Sequence, residues 1–218
     1  MFKNYYKERN KSIHKQSTRT REELANNEVH TILYLIKYFF NFEIKNELKI
    51  LDVGSGDKFL KDPFERKGFL YQGIDIDLID FNNVQFPFAN NSFDIVVSLA
   101  VIEHIKNTEN FLNEIYRILK KGGFIFFSTP NWFYAYKNFY DDYTHIKPFT
   151  KKSLLQILSD YNFKDIHIVP GLRNKSFWQY TMPFAEFFAR ILPFTGDAKF
   201  VPSFLKGKAT SLFALAKK

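Results

Sequence analysis

The sequence contains no cysteine, which excludes disulfide bonds, thiolate metal sites and cysteine nucleophiles. Glycine and proline are scarce, with nine and eight residues among 218, and there is no internal repeat or low-complexity tract. The first 21 residues include seven Lys or Arg and no apolar core, so a signal peptide is not expected. These features predict an ordinary globular chain, and the missing cysteine fits a reducing cytoplasm.

The composition is typical of one globular domain, with 45% hydrophobic and 25% charged residues. The aromatic content of 19% is unusual and comes largely from 27 Phe. The net charge of +8 permits an acidic partner. No nucleic-acid-reading motif accompanies that charge, so we expect no nucleic-acid partner. Nothing in the sequence indicates the oligomeric state.

Strand and helix patterns alternate through most of the chain. We interpret residues 1–23 as a basic flexible arm or frayed helix, and residues 24–218 as a single domain that opens with a helical stripe over 24–42. Strands separated by helices predict parallel βαβ units and a doubly wound α/β sheet with helices on both faces. The predicted strands are 49–53, 70–74, 93–98, 123–129, 165–169 and 210–216, and the predicted helices are 58–67, 108–121 and 151–161.

The stretch 171–208 departs from this alternation. It holds nine aromatic residues, three prolines, six Lys or Arg and two acids, with some aromatics at helical spacing. Its apolar run is too short and too broken to cross a bilayer. We interpret it as a helical insertion or cap before the last strand. It could close over a substrate pocket, cover a sheet edge, or touch a membrane surface as a peripheral contact, assisted by the basic arm.

Two motifs about twenty residues apart indicate an adenosine ligand. The run 50–56 reads Ile-Leu-Asp-Val-Gly-Ser-Gly, a buried strand followed by glycines that allow a tight turn. The next predicted strand ends on Asp75, whose carboxylate can accept hydrogen bonds from a ribose diol. A dinucleotide fingerprint starting at Gly54 would need Gly or Ala at position 59, where Phe59 stands.

With these motifs the chain resembles class I S-adenosylmethionine-dependent methyltransferases. More narrowly, it is similar to small methyltransferases found with surface-polysaccharide genes. The resemblance covers Lys49 to Val169 and returns weakly at 211–217. Five motifs occur in the family's order, at 52–56, 73–75, 86–96, 102–105 and 114–123. The resemblance implies a Rossmann-like fold and S-adenosylmethionine as cofactor, with S-adenosylhomocysteine as product.

The resemblance also implies which residues meet the cofactor. The glycine turn and Asp75 would hold its ribose and methionine portions, and Ser98 and Leu99 would flank the methionine portion or simply pack in the core. Asp80 and Asn82 are alternatives for accepting a hydrogen bond from the adenine amine. The expected cofactor-binding residues are Asp52, Gly54, Ser55, Gly56, Asp75, Ile76, Asp80, Asn82, Ser98 and Leu99.

Two features depart from the family pattern. Lys58 stands where the family commonly has a third glycine, and its side chain could face solvent or crowd the methionine end. The interval from Asp75 to Pro87 is short, which leaves room for a clipped third strand but hardly for the usual helix before it.

Candidate acceptor-handling residues follow the fourth and fifth strands of the family pattern. If the acceptor is a hydroxyl, its proton needs a nearby base. His104 comes just after one strand, and the segment 141–145 (Asp-Asp-Tyr-Thr-His) lies in the loop after the next. We predict His145, Asp142 and His104 as catalytic, although each also has a structural reading as a cap or packing residue. Asp141, Asp142 and His145 could bind a metal, but loop carboxylates are usually solvated, so we predict no metal site.

The leading hypothesis is a cytoplasmic enzyme, possible at the inner membrane face, that methylates a small or glycan-like acceptor at oxygen. One alternative is a methyltransferase for a quinone or other isoprenoid lipid, which the aromatic insertion would also serve. Another is a non-catalytic protein that binds the cofactor and a partner, an alternative left open by Lys58. The sequence does not reveal the acceptor.

Overall fold

A computed structural model describes residues 20–171, 194–195 and 206–218. In the order of the chain, the strands are β1 (Lys49–Val53), β2 (Leu70–Ile74), β3 (Phe93–Leu99), β4 (Leu119–Pro130), β5 (Lys164–Pro170), β6 (Phe194–Thr195), β7 (Lys206–Lys208) and β8 (Ser211–Lys217). The helices are α1 (Arg21–Phe40), α2 (Lys61–Arg66), α3 (Thr108–Ile118), α4 (Trp132–Ala135) and α5 (Lys151–Asp160), with 3-10 turns at Ile102–His104 and Phe139–Asp141.

Six strands form one mostly parallel sheet in the order β2-β1-β3-β4-β8-β5. Strands β1 to β4 pair in parallel, whereas β8 runs antiparallel to both β4 and β5. The chain therefore reverses its direction of sheet growth beside β1, between β2 and β3. Ligands of doubly wound sheets bind at such a switch point, beyond the carboxyl ends of the strands. The predicted fold class is confirmed.

Helices cover both faces of this sheet, each over its own hydrophobic core. On one face α1 and α2 contribute Ile32, Ile36 and Phe64 to a buried cluster. On the other face α3 and α5 contribute residues such as Phe111 and Leu154. The inner strands β1, β3 and β8 are mostly buried, which explains their continuous apolar runs, whereas the edge strands β2 and β5 are partly exposed.

Helix α1 begins at Arg21, inside the segment that we predicted as an arm. Thr20 forms a capping box there: its hydroxyl accepts the N–H of Glu23 at 3.2 Å, and its own N–H donates to the Glu23 carboxylate at 2.9 Å. This reciprocal capping satisfies two free helix-end donors and extends the helix by a turn. Residues 1–19 of the predicted arm lie outside the described residues.

The predicted boundary between helix 108–121 and strand 123–129 is wrong by several residues. Helix α3 ends at Ile118 and β4 begins at Leu119, which pairs with Phe93. The register of this pair shifts between Phe93 and Ile95, and Gly122 has a positive φ of 74° in the irregular segment. Residues 120–123 read Lys-Lys-Gly-Gly, which is typical of a helix end, but pairing with β3 ends the helix before them.

No third strand occurs in the described segment 75–92, where we had expected room for a clipped one. Turns stabilised by side chains replace it. Asp80 accepts the backbone N–H of Asn82 at 3.0 Å, and Asn82 Oδ1 accepts the N–H groups of Lys106 and Asn107 at 2.8 and 3.0 Å. Such local bonds compete with a strand ladder.

Most of the predicted insertion at 171–208 lies outside the described residues, including its helical aromatic spacing. The described parts are Gly171 and the short strands β6 and β7, which pair in parallel. Among the residues that the structure describes, no helix has the length and apolar character to cross a membrane.

Candidate active site

The chain turns sharply after β1 through two glycines. Gly54 and Gly56 have φ values of 80° and 52°, in the left-handed region that glycine adopts without strain. The N–H groups of Gly54 and Ser55 donate to the carbonyl of Ile74 at 2.8 and 3.0 Å, which joins the ends of β1 and β2. A Cβ at Gly54 would overlap Cγ2 of Val101, so only glycine fits there.

Asp75 lies at the end of β2 and faces this turn. Its two carboxylate oxygens accept the backbone N–H groups of Gly56 and Ile76. Each oxygen retains a second lone pair with which it can accept a ribose hydroxyl. Ile76 is 43% exposed and Leu78 is 70% exposed, so apolar surface adjoins the carboxylate. The predicted pairing of the glycine turn with Asp75 is present in the geometry.

Asp52 is buried below the turn and is held by Tyr71, whose hydroxyl donates to Asp52 Oδ2 at 2.8 Å. Burial raises the pKa of Asp52 to about 7; the Tyr71 hydrogen bond acts in the opposite direction, and the nearby Asp75 charge raises it further. An ammonium group brought near Asp52 would favour its carboxylate form. This carboxyl is therefore suited to respond to a cationic ligand.

The two candidates for the adenine amine differ in their free acceptor capacity. Asn82 Oδ1 already accepts two backbone N–H groups, which fills both lone pairs of an amide oxygen. Asp80 is exposed and keeps one further lone pair, on Oδ2, because Asn82 donates twice to Oδ1 and Asn83 once to Oδ2. The pKa of Asp80 lies below its usual value because the backbone N–H of Asn82 and the side chains of Asn83 and Asn82 donate to it. The geometry favours Asp80 over Asn82.

The end of β3 lies beside the glycine turn. Ser98 is buried, and its hydroxyl donates to the carbonyl of Val53 at 3.0 Å, which fits the structural reading of this residue. Leu99 is half-buried, and Ala100 is exposed with a left-handed φ of 56°. A non-glycine residue with a left-handed φ carries backbone strain of order 1–3 kcal/mol, and such residues cluster at functional sites.

Lys58 is exposed and has a left-handed φ of 58°. It therefore adopts a backbone conformation that glycine takes without strain, and its side chain lies at the surface. It follows Gly56 in the same turn, before α2 begins at Lys61. The predicted helix at 58–67 starts three residues later because this left-handed residue interrupts it.

We expect Lys58→Gly to raise the free energy of unfolding by about 1 kcal/mol, because glycine relieves the left-handed strain. The measurement is urea denaturation followed by circular dichroism. The matched control is Lys67→Gly, an exposed lysine with an ordinary φ of −92°, which should lose stability. Equal losses in both variants would contradict the strain at Lys58.

The segments that follow β3 and β4 meet at the same edge of the sheet. The backbone carbonyl of Glu103 accepts the N–H groups of Ile146 and Lys147 at 3.0 and 3.1 Å. His104 Nδ1 lies 3.1 Å from the carbonyl of Thr144, so two residues of the 3-10 turn, Glu103 and His104, contact the loop after β4. The structure thus brings together His104 and His145, two residues that we predicted separately.

A buried group of carboxylates and imidazoles results from this meeting. His145 Nε2 lies 3.7 Å from Asp142 Oδ2 and 4.0 Å from Glu103 Oε1. The imidazole rings of His104 and His145 are 4.7 Å apart between centroids. Glu103 is fully buried, and Asp142 and His145 are each 8% exposed. We call Glu103, His104, Asp142 and His145 the edge cluster.

Sequence reasoning missed Glu103 as a functional residue and gave a role only to the His after it. Its signal was an acid placed among apolar residues, in the 3-10 turn that follows the mostly buried strand β3. Its carboxylate oxygen Oε2 accepts the Thr129 hydroxyl at 3.0 Å. The predicted pair of Asp142 and His145 is close in space, whereas Asp141 is exposed and does not belong to the group of His and carboxylates found near His145 among the described residues.

Comparisons with known proteins agree with the fold and identify the family. The sequence matches the methyltransferase domain family over residues 19–168. A crystal structure of an S-adenosylmethionine-dependent methyltransferase from Archaeoglobus fulgidus superimposes with a TM-score of 0.62 at 21% identity, covering 90% of this chain and 94% of that one. The phosphoethanolamine N-methyltransferase 2 of Haemonchus contortus, solved with S-adenosyl-L-methionine, gives a TM-score of 0.58 at 19% identity over 87% of this chain and 52% of that one.

Two curated relatives share part of the sequence. The mitochondrial ubiquinone biosynthesis O-methyltransferase of Rattus norvegicus is 32% identical over 107 residues, and the ubiquinone biosynthesis O-methyltransferase of Pelagibacter ubique is 27% identical over 106. These matches cover 38% and 40% of this chain but only 31% and 44% of the relatives, so the chain spans less than half of either relative. The surface-polysaccharide group stays a prediction. The family match spans more than half of the sequence, and the chain belongs to the methyltransferase domain family as a class I S-adenosylmethionine-dependent methyltransferase.

Proposed function

We propose that this methyltransferase transfers the methyl group to a hydroxyl oxygen of a small acceptor bound against the edge cluster. The observation behind the proposal is the convergence of Glu103, His104 and His145, with ligand atoms within 4.8 Å of one another, at the edge where β3 and β4 end. Attack by oxygen on a sulfonium requires removal of the hydroxyl proton. Carboxylate and imidazole groups are the side chains that most often do this.

The turn after β1 fits the other half of the reaction. Asp75 has lone pairs for the ribose diol, Asp80 has capacity for the adenine amine, and the Asp52 carboxyl lies under the turn for a cationic ligand. Val101 touches this turn and lies two residues before Glu103, so the cofactor region and the edge cluster adjoin. Holding donor and acceptor together supplies much of the rate in a displacement whose leaving group is already activated.

The acceptor proposed from the sequence is a small or glycan-like molecule. A second candidate is the phenolic head group of a quinone-type isoprenoid lipid. It is supported by the names of the curated relatives, which are ubiquinone biosynthesis O-methyltransferases. It is also supported by four exposed aromatic side chains on the segment that holds His145, namely Phe133, Tyr136, Tyr140 and Tyr143. Aromatic side chains offer flat apolar surface to a ring.

The cofactor half of the proposal is tested by titrating the protein with S-adenosylmethionine and S-adenosylhomocysteine in a calorimeter. We expect Asp75→Ala to weaken binding by about 1–3 kcal/mol, because charge-assisted hydrogen bonds to the ribose are lost. Asp160→Ala, at the exposed end of α5, is the matched control and should bind as the wild type does. Normal binding by Asp75→Ala would show that the ribose assignment is wrong.

The acceptor half is tested with labelled cofactor and three acceptor sets: phenols and quinone precursors, sugars and lipid-linked glycans, and amines. Label on oxygen in either of the first two sets supports the proposal and selects between them. Label appearing only on nitrogen, with cofactor binding intact, would overturn transfer to oxygen.

A further inference from the structure

Three ligand atoms of the edge cluster outline a small buried triangle. Glu103 Oε1 lies 4.0 Å from His104 Nε2 and 4.0 Å from His145 Nε2, and all three atoms are within 4.8 Å of one another. A point equidistant from them is roughly 2.5 Å or less from each atom, against metal–ligand lengths of roughly 2.0–2.2 Å for zinc with imidazole and carboxylate. Side-chain shifts of a few tenths of an ångström would close this difference.

The far side of each imidazole is held by a backbone carbonyl. His145 Nδ1 lies 2.6 Å from the carbonyl of Phe139, and His104 Nδ1 lies 3.1 Å from the carbonyl of Thr144. A carbonyl only accepts hydrogen bonds, so a neutral His145 ring has its hydrogen on Nδ1 and its lone pair on Nε2. His104 Nδ1 also lies 3.0 Å from the Thr144 hydroxyl, which itself donates to Asp142 Oδ1, so the same placement of hydrogen and lone pair fits His104. Metal-binding histidines are fixed in the same way, by a carbonyl or carboxylate on the other ring nitrogen.

Neighbouring side chains hold the carboxylates in place. Thr129 donates to Glu103 Oε2 at 3.0 Å, which leaves Oε1 on the side of the two imidazoles. Asp142 Oδ1 accepts the N–H of Thr144 at 3.0 Å, while Oδ2 lies toward His145 Nε2. The site thus lies between the 3-10 turn after β3 and the loop after β4. The N–H groups of Ile146 and Lys147 donate to the Glu103 carbonyl and join the same two segments.

We propose that Glu103, His104 and His145 bind one divalent transition-metal cation, in contrast to our expectation from the sequence that no metal binds. Two imidazole nitrogens and one carboxylate oxygen suit Zn²⁺, Co²⁺, Fe²⁺ or Mn²⁺, whereas Mg²⁺ and Ca²⁺ prefer oxygen ligands alone. Three protein ligands leave a coordination position open, which is the pattern of a catalytic rather than a structural metal.

The role of the cation rests on the proposed function, although its binding does not. An acceptor hydroxyl in the open position would lose its proton to water more readily beside a divalent charge. Its oxygen would then form the new C–O bond as the S–CH₃ bond breaks, with the electron pair staying on sulfur to give S-adenosylhomocysteine. The edge cluster would therefore act on the proton through the metal rather than through His145 as a direct base.

The binding test uses the full chain, stripped with a chelator and dialysed. Titration with Co²⁺ should produce visible absorption bands of ligand-bound cobalt, Zn²⁺ should displace it with one cation per chain, and Mg²⁺ should not. His145→Ala and the near-isosteric Glu103→Gln should each weaken Zn²⁺ binding by at least about 10–100-fold, since each removes a ligand. Absence of stoichiometric binding by the wild-type chain would overturn the proposal, whatever the variants do.

The matched control for adventitious binding is His167→Ala. His167 Nε2 forms a partly exposed pair with Asp165 at 3.1 Å, which is the kind of surface pair that picks up cations weakly. Binding that survives in Glu103→Gln but falls in His167→Ala would overturn the site. Glu103→Gln must retain the wild-type circular dichroism spectrum, and His104→Ala replaces it if it does not.

A second measurement separates the metal from the proposed function. Methyl transfer to oxygen is compared in stripped and Zn²⁺-loaded protein. Zn²⁺ binding without methyl transfer to oxygen would support the metal site and contradict the proposed acceptor chemistry. Full transfer by stripped protein would remove the metal from the mechanism and leave transfer to oxygen in place.

Discussion

His145→Ala is expected to lower kcat for methyl transfer by about 10²–10⁴-fold, the range lost when a group that manages a proton in the transition state is removed. His145 lies 4.0 Å from Glu103 and is 8% exposed, so water cannot readily take its place. Affinity for S-adenosylmethionine should stay within about twofold, because the residues proposed to bind the ribose and adenine, Asp75 and Asp80, lie in the segment that follows β2. The measurements are steady-state kinetics and calorimetry.

Loss of packing is the competing explanation for such a result. The His145 ring lies 4.5 Å from the Phe139 ring, so the alanine variant should also lose some stability. His145→Gln retains more volume and is expected to unfold closer to wild type while remaining nearly inactive. His30→Ala, at an exposed position on α1, is the matched control with full activity. An active His145→Gln enzyme would show that the imidazole has a structural role only.

Gly54→Ala is expected to lower the free energy of unfolding by about 2–5 kcal/mol. Two penalties add: the left-handed φ of 80° costs an alanine about 1–2 kcal/mol, and the new Cβ overlaps Val101, with overpacking costs of typically 1–3 kcal/mol. The backbone movement that makes room for the new Cβ should also displace the glycine turn and weaken the binding of S-adenosylmethionine. Urea denaturation and calorimetry provide both measurements.

The chain offers a control that separates these penalties. Gly122 has a similar φ of 74°, but an added Cβ there would meet nothing within 4 Å. Gly122→Ala should therefore lose only the strain, about 1 kcal/mol. The double variant Gly54→Ala with Val101→Ala should recover part of the loss relative to the sum of its single variants. Equal losses in the two glycine variants would rule out the close contact as the cause.

Much of the fold could be predicted because its signals are local. The strands at 49–53 and 70–74 were correct to the residue. Helix α5 begins at the predicted residue 151, after Thr150, whose hydroxyl accepts the N–H of Ser153 at 3.2 Å. The end of α3 was missed because the stop signal at Lys-Lys-Gly-Gly is satisfied inside β4, where Lys120 Nζ reaches Asp94 at 2.8 Å. Contacts distant in sequence moved that boundary.

The candidate site likewise has a part that the sequence predicted and a part that only the structure showed. The glycine turn and Asp75 follow from strand ends and spacing, since neighbouring parallel strands end at one edge. The choice between Asp80 and Asn82 required knowledge that Asn82 Oδ1 already accepts bonds from Lys106 and Asn107. The exposed side chain and left-handed φ of Lys58 were likewise found only in the structure.

By itself, the sequence determined the doubly wound sheet and the methyltransferase family, and it predicted where the adenosine would bind, because buried strands, tight turns and helix caps depend on consecutive residues. Only the tertiary structure decided that Glu103 is buried beside His104 and His145, and that these belong to one cluster. The physical reason is that the cluster forms between the segments after β3 and β4, joined through the carbonyl of Glu103. No periodicity in the chain encodes a contact between two loops.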